Sequence, residues 1–192
     1  MKVCVFITGT NSVGKTSLAC AIIEKFGGVD SITNDVTYCR NGAVSLAGKY
    51  GVCKFGGVDS ITNDKGHSCT SRLPEVVEEA LENSDTVFCE GSFMNTFGLN
   101  LTNALFKADK YLIVNLWCDP KVLVKRLAKR SNGKNKKGYR NWEKIFEKQK
   151  LSMISAKKFQ SIGVPVLQIN TAEHSIEDML AMVLDKYQEI IK

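Results

Sequence analysis

The sequence predicts an α/β fold in which a parallel sheet is covered by helices on both faces. Short, strongly apolar runs that are typical of buried strands alternate along the chain with helical patterns. The first strand, VCVFITG at 3–9, runs directly into a glycine-containing loop and then into a helical pattern. Because the chain has 192 residues and one continuous alternation, a single domain over 1–192 is expected.

The loop after the first strand matches GxxxxGK[ST], the P-loop motif, with Gly9, Gly14, Lys15 and Thr16 at its fixed positions. Backbone N–H groups of such a loop surround phosphates at a helix N-terminus. The lysine reaches the β and γ phosphates, and the hydroxyl binds Mg²⁺. The motif therefore predicts a nucleotide site. Its expected residues are Gly9, Thr10, Asn11, Ser12, Val13, Gly14, Lys15, Thr16 and Ser17.

The remaining elements follow in alternating order. A hairpin is predicted over VTYCRNGAVSLAGKYG at 36–51, with strands on either side of RNG. Later strands are predicted at 85–90, 110–118 and 164–170, and helices at 70–83, 95–108, 119–130 and 175–191.

The second predicted core strand, DTVFCE, ends in Glu90. Ligands of parallel sheets bind beyond the carboxyl ends of the strands, where an acid beside a P-loop holds Mg²⁺ or its water shell. Glu90 is therefore expected to share a metal ion with Thr16. A surface acid at a strand end is the alternative interpretation.

Positive charge is concentrated in one segment. Residues 121–160 hold 14 Lys and Arg against two acids, a net charge of +12, whereas the whole chain carries +6. Arg126 and Arg130 lie four residues apart on one helix face, and a hydrophilic stretch follows them. This pattern predicts a lid at about 126–141 that excludes water and supplies positive charge to a transferring phosphoryl group. A solvated loop and a nucleic-acid surface are the alternatives. Further candidates for lid or DNA contacts are Lys134, Lys136, Lys137 and Arg140.

One eleven-residue segment, KFGGVDSITND, occurs twice, at 25–35 and at 54–64. One domain offers no two identical environments, so the copies are expected to differ in role. The first copy follows the first helix, and its paired glycines predict a simple turn of the chain there. The second copy follows the hairpin, and its Gly56 and Gly57 are expected to let the backbone approach substrate.

A phosphoryl acceptor needs a carboxylate that orients its hydroxyl and takes its proton. Asp59, in the second copy, is the first candidate, and Asp35 and Asp64 are alternatives. A turn aspartate that satisfies local backbone groups is an equally good interpretation of each. The lone histidines His67 and His174 are interpreted as ordinary structural or surface residues.

The composition argues against several other classes of protein. Seven cysteines, an odd number without any CxxC pair, indicate reduced thiols with no disulfide partner and no zinc site. No apolar run approaches the ~20 residues of a membrane-spanning helix. A cytoplasmic protein without a membrane partner is expected.

Together, the P-loop, the strand ending in Glu90, the segment LWCDPKVLVKRLAKR and the final VPVLQIN strand with its helix resemble the nucleoside monophosphate kinase group of P-loop kinases. The resemblance extends over nearly the whole chain. It implies a three-layer P-loop kinase fold with a small insertion, here about 36–69, and a basic lid. It also implies phosphoryl transfer from ATP with Mg²⁺, and it leaves the acceptor open.

The middle of the chain is more distinctive. VTYCRNGAVSLAGKYG followed by CKFGGVDSI resembles phage-encoded kinases that phosphorylate 5-hydroxymethyluracil within DNA, a step towards thymidine hypermodification. That resemblance implies a DNA substrate carrying a modified pyrimidine and a place of action in the host cytoplasm. The expected catalytic residues are Lys15, Asp59, Glu90, Arg126 and Arg130. The alternatives are a kinase of deoxynucleoside monophosphates or other small molecules, and a P-loop switch that hydrolyses nucleotide.

Overall fold

A computed structural model describes residues 1–51, 56–63, 65, 67, 69–91, 98–131 and 142–192. Within these residues the core is a seven-stranded sheet in the order β2-β3-β4-β5-β1-β6-β7. The strands are β1 (Val3–Thr8), β2 (Val29–Thr33), β3 (Val36–Cys39), β4 (Val44–Ala47), β5 (Thr86–Glu90), β6 (Lys110–Trp117) and β7 (Val166–Asn170). The helices are α1 (Lys15–Lys25), α2 (Leu73–Asn83), α3 (Leu99–Leu105), α4 (Pro120–Ser131), α5 (Trp142–Ser161) and α6 (Ile176–Ile191).

Helices cover both faces of the sheet, because successive side chains of each buried strand point to opposite sides. In β1, Val3, Val5 and Ile7 pack into the cluster that holds the apolar faces of α1 and α6. Cys4 and Phe6 pack into the opposite cluster with α2 and α3. The three-layer α/β fold expected from the sequence is confirmed.

The five strands β4, β5, β1, β6 and β7 run parallel, and the meander β2-β3-β4 adds the antiparallel pairs at one edge. The hairpin expected at 36–51 is present, and its strands β3 and β4 extend the central sheet. The 3-10 turns Val58–Ser60 and Thr70–Arg72 then connect the meander to α2. No helix in the described part of the chain is long and apolar enough to cross a membrane.

The first copy of the repeat forms an edge strand, so the expectation that it only turns the chain was wrong. Gly27 and Gly28 end α1 with positive φ, and Val29–Thr33 then pairs with β3. Asn34 and Asp35 both have positive φ in the two-residue connection to β3, as in a type I′ hairpin turn.

The second copy has a different structure. Val58–Ser60 forms a single 3-10 turn, and Val58 and Ile61 are fully buried. Gly57 has φ 76° and ψ −167°, a region that only glycine adopts readily. A Cβ there would lie 2.2 Å from the backbone oxygen of Glu90. The backbone of Gly57 therefore packs against the end of β5, and its expected approach to substrate stays a prediction.

The repeat supplies a matched test of this close contact, because Gly28 and Gly57 are the same letter of the two copies. Gly28 also has positive φ, but a Cβ there would meet nothing within 4 Å. Gly28→Ala is expected to cost about 1 kcal/mol of unfolding free energy, from backbone strain alone. Gly57→Ala adds steric overlap and is expected to cost about 3 kcal/mol or more. Urea denaturation of both variants measures the difference, and equal costs would contradict the close packing of Gly57.

Candidate active site

A cavity of about 730 Å³ lies beyond the carboxyl ends of β1 and β5, on the loop side of the sheet. Open α/β sheets bind ligands at this edge. The P-loop residues from Asn11 to Ser17 line the cavity. Gly9 and Thr10 begin the same loop but are not among the described lining residues. A Cβ on Gly9 would sit 2.4 Å from the backbone oxygen of Leu116, and the buried Thr10 hydroxyl donates to the backbone oxygen of Ile145 at 3.0 Å.

The side chain of Lys15 is buried in the curve of the P-loop. Its Nζ donates hydrogen bonds of 2.9 Å to the backbone oxygens of Gly9 and Thr10. Burial lowers the pKa of Lys15, and the negative charges of Glu90 and Asp59 oppose that shift. A buried ammonium surrounded by acceptors is a strong attractor for a phosphate oxygen.

The carboxylate of Glu90 completes the base of the cavity. It is 3% exposed and accepts a 3.1 Å hydrogen bond from the hydroxyl of Thr16. Burial raises the pKa of Glu90, and the Lys15 charge and the Thr16 hydrogen bond act against the rise. Tyr50 is also buried here, and burial together with the Glu90 charge raises the pKa of its phenol.

The pair formed by Thr16 and Glu90 suits a magnesium ion, because Mg²⁺ prefers hard oxygen ligands and usually takes only one or two from carboxylates. In the part of the chain that the structure describes, no group of three or more acids, histidines and cysteines could hold a metal ion by itself. A bound Mg²⁺ would therefore take its remaining ligands from phosphate oxygens and water.

The second copy of the repeat places Asp59 in the same cavity. Asp59 lies in the 3-10 turn Val58–Ser60, and its charge affects the pKa of both Lys15 and Glu90. The turn fits tightly against the residue after β5. A Cβ on Gly91 would lie 2.2 Å from Val58 Cγ2 and 3.0 Å from Asp59 Oδ1. A glycine after Glu90 thus lets the turn sit close to the end of the strand.

The alternative carboxylate Asp35 has a structural environment. It is 4% exposed, is not among the described residues that line the cavity, and pairs with Lys49 at 2.9 Å and with Arg72 at 3.0 Å. The expectation that Asp35 is an alternative to Asp59 as the carboxylate that orients the acceptor hydroxyl is therefore corrected. Asp64 lies outside the described residues, as do Lys134, Lys136, Lys137 and Arg140.

Both arginines of the predicted lid face the cavity from α4. The guanidinium of Arg126 donates to the hydroxyl of Thr171 at 2.7 Å and to its backbone oxygen. Arg130 is exposed, and its charge contributes to the lowered pKa of Lys15. The spacing of four therefore predicted the shared face correctly. The rest of the proposed lid, from 132 to 141, lies outside the described residues.

One wall of the cavity was not predicted from the sequence. The loop from β7 to α6 and the start of α6 contribute Thr171, His174, Ser175, Ile176 and Met179. His174 is a half-buried cavity residue, whereas His67 is exposed. The signal that could have found this wall is positional: these residues follow a parallel strand, and Ser175 begins the capping box with Asp178 that starts α6.

Several solved structures have a similar fold. The YorR protein of Bacillus subtilis in complex with phosphorylated GDP is 14% identical, with a TM-score of 0.58 over 96% of this chain and 95% of that one. Deoxyadenosine kinase of M. mycoides with bound dCTP is 15% identical, with a TM-score of 0.51 over 99% and 100% of the two chains. The fold is that of P-loop kinases.

A third similar structure is the tRNA delta(2)-isopentenylpyrophosphate transferase of Staphylococcus epidermidis. It is 10% identical, with a TM-score of 0.53 over 98% of this chain and 99% of that one. No protein-family model and no curated protein matches the sequence. Likeness at such low identity establishes the fold, which serves several reactions, so the chemistry must be argued from the residues of the site.

Separate substitutions should distinguish the two α4 arginines. Arg126→Gln removes charged hydrogen bonds to Thr171, which are worth about 1.5–3 kcal/mol, so Tm, ATP affinity and turnover should all fall. Arg130→Gln should leave Tm nearly unchanged and lower turnover by about 10²-fold, because Arg130 adds charge beside Lys15. Thermal melts, calorimetric ATP titrations and steady-state rates measure these effects. Identical profiles for the two variants would show that the arginines do not have separate roles.

Proposed function

We propose that the protein is an ATP-dependent phosphotransferase that moves the γ phosphoryl group to a hydroxyl acceptor. The observation that carries the proposal is the content of one cavity: a P-loop lysine, an oxygen pair suited to Mg²⁺, a separate carboxylate and two arginines. The similar structures named for kinases support the same reaction class. In this reaction Lys15, Glu90 and Asp59 have distinct tasks, and Arg126 and Arg130 share one.

The donor side is built by the P-loop. Its backbone N–H groups and Lys15 would bind the β and γ phosphates of ATP, with the ammonium moving from its backbone acceptors to phosphate oxygens. Thr16 and Glu90 would hold Mg²⁺, which neutralises charge on the phosphates when it is bound. The wall with Arg126, His174 and Ile176 leaves room for the base and sugar of the nucleotide.

The acceptor side is built by the second copy of the repeat. Asp59 would accept a hydrogen bond from the acceptor hydroxyl and orient its oxygen towards the γ phosphorus. The new P–O bond forms as the bond to the β–γ bridging oxygen breaks. ADP leaves, and the hydroxyl proton passes to Asp59. Arg126 and Arg130 would stabilise the charge on the transferring group.

We further propose the 5-hydroxymethyl group of hydroxymethyluracil in DNA as the acceptor. The resemblance of the segments 36–51 and 53–61 to kinases of that base supports this acceptor, and so does the surface beside the cavity. On α4, Lys121, Lys125 and Lys129 form an exposed stripe next to the arginines. Such a stripe suits a polynucleotide backbone, whose binding releases counterions.

A deoxynucleoside monophosphate is the second candidate acceptor. This acceptor, or another small molecule of nucleoside type, is favoured by the likeness to a protein named deoxyadenosine kinase and to a protein in complex with phosphorylated GDP. The two acceptors differ in salt dependence, because binding of a polynucleotide weakens much more steeply with ionic strength.

The deciding experiment uses γ-labelled ATP, Mg²⁺ and a panel of acceptors: hydroxymethyluracil DNA, unmodified DNA and deoxynucleoside monophosphates. Label on hydroxymethyluracil DNA alone is expected, with transfer abolished in Lys15→Ala. Label on a mononucleotide instead would show that the acceptor is the mononucleotide and that the DNA proposal is wrong. If ATP were hydrolysed at the same rate whether or not any acceptor is present, the protein would instead be a nucleotide-hydrolysing switch.

Substitution of Asp59 tests the proposed proton acceptor, and the repeat provides its control. Asp59→Asn keeps the shape of the side chain and should lower turnover by about 10²–10⁴-fold, with ATP binding near normal. Asp30→Asn changes the same letter in the first copy, where the side chain is exposed on β2. It should leave turnover unchanged and alter stability by less than about 1 kcal/mol. Equal losses of turnover in both variants would refute the role of Asp59.

A further inference from the structure

The last residue of the first repeat copy is held in a buried ion-pair cluster. The side chain of Asp35 is 6% exposed and contacts two cations: Lys49 Nζ at 2.9 Å from Oδ1 and Arg72 Nη1 at 3.0 Å from Oδ2. A carboxylate at this depth needs partners, because an unpaired buried charge is strongly unfavourable. Asp35 therefore fixes the guanidinium of Arg72 and the segment around Lys49 in place.

The same two partners bind the second copy of the repeat. Arg72 Nη1 also donates to the backbone oxygen of Thr62. The backbone N–H of Lys49 donates to Ser60 Oγ at 2.8 Å, and Ser60 Oγ donates to the oxygen of Gly57 at 2.7 Å. These contacts surround the 3-10 turn on both sides of Asp59.

The turn has few hydrogen bonds of its own. Ser60 N–H donates to the oxygen of Gly57 at 3.0 Å, and Ile61 N–H donates to the oxygen of Val58 at 3.2 Å. Single 3-10 turns have poor hydrogen-bond geometry and little intrinsic stability. The position of the turn that carries Asp59 therefore depends on its packing and on the contacts that neighbouring segments make with its backbone.

We propose that Arg72, anchored by Asp35, is a positioning residue that fixes the turn of Asp59 in the phosphoryl-transfer site. The first copy of the repeat thus positions the second. The inference rests on the proposed role of Asp59 in the reaction. Arg72 and Asp35 act through the backbone at Thr62 and at Lys49 to Ser60, and neither is among the described residues that line the cavity. A misplacement of about 1 Å in a reacting group can lower a rate by about 10²-fold, so loss of a positioning residue should have a measurable effect on turnover.

Arg72→Gln is the direct test in the full-length chain. Turnover should fall by about 10²-fold while the ATP dissociation constant stays within about twofold. Arg72→Lys, which keeps the pair with Asp35, should recover part of the rate. The matched control is Glu75→Gln, because Glu75 is exposed and pairs with Arg72 at 3.8 Å on its outer side. This control should keep the parent turnover.

Comparing Arg72→Gln in the parent and in the Asp59→Asn variant separates an effect on the position of Asp59 from a general loss of structure. If Arg72 acts through Asp59, Arg72→Gln should cost less than about twofold further turnover in an Asp59→Asn background. The same fold-loss in both backgrounds, or a parallel rise in the ATP dissociation constant, would overturn the proposal.

Hydrogen exchange measured by mass spectrometry decides the question without any activity. In Arg72→Gln, amides of 57–62 should exchange at least about tenfold faster than in the parent, whereas the core of α2 and β5 should keep its protection. Unchanged exchange at 57–62 would overturn the positioning role. If the parent transferred phosphate to no acceptor, the proposed function would fail, and faster exchange at 57–62 would still establish that Arg72 holds the turn.

Discussion

A buried lysine ammonium determines what the rest of this site must contain. Lys15 is 7% exposed, and its charge is tolerated only because backbone oxygens accept its hydrogen bonds and carboxylates lie nearby. The sharp curve of the P-loop supplies the backbone oxygens, and the end of β5 supplies the carboxylate of Glu90. The second copy of the repeat then adds Asp59. The base of the cavity can therefore be understood as a response to that one charge.

The sequence alone was sufficient to predict the parts of the site that neighbouring residues of the chain build together. The P-loop needs a strand, a glycine loop and a helix in direct succession, so the order of letters alone identifies its residues. The pair of Thr16 and Glu90 could also be inferred, because parallel strands bring their carboxyl ends to one edge of the sheet. The shared face of Arg126 and Arg130 follows from helical spacing alone.

The remaining parts of the fold and the site depend on tertiary contacts, and the repeat shows why these parts could not be predicted from the sequence. Identical letters form an edge strand in one place and a 3-10 turn in the other. Val29 and Ile32 are half-buried in the strand, whereas Val58 and Ile61, the same letters, are fully buried beneath the turn. Intrinsic propensity is equal in both copies, so the neighbours select the conformation. The wall with Thr171 and His174 was missed for a related reason, since it meets the P-loop only through the order of the strands.

Buried polar contacts also connect α5 to the sheet. Thr10 bonds to the backbone oxygen of Ile145, the side chain of Gln149 bonds to both backbone groups of Cys118, and the hydroxyls of Ser152 and Thr8 share the amide oxygen of Asn115. Breaking several such bonds at once would leave unsatisfied groups in the interior. Helix α5 is therefore expected to move together with β1 and β6. Any hinge that opens this cavity has to lie outside these three elements.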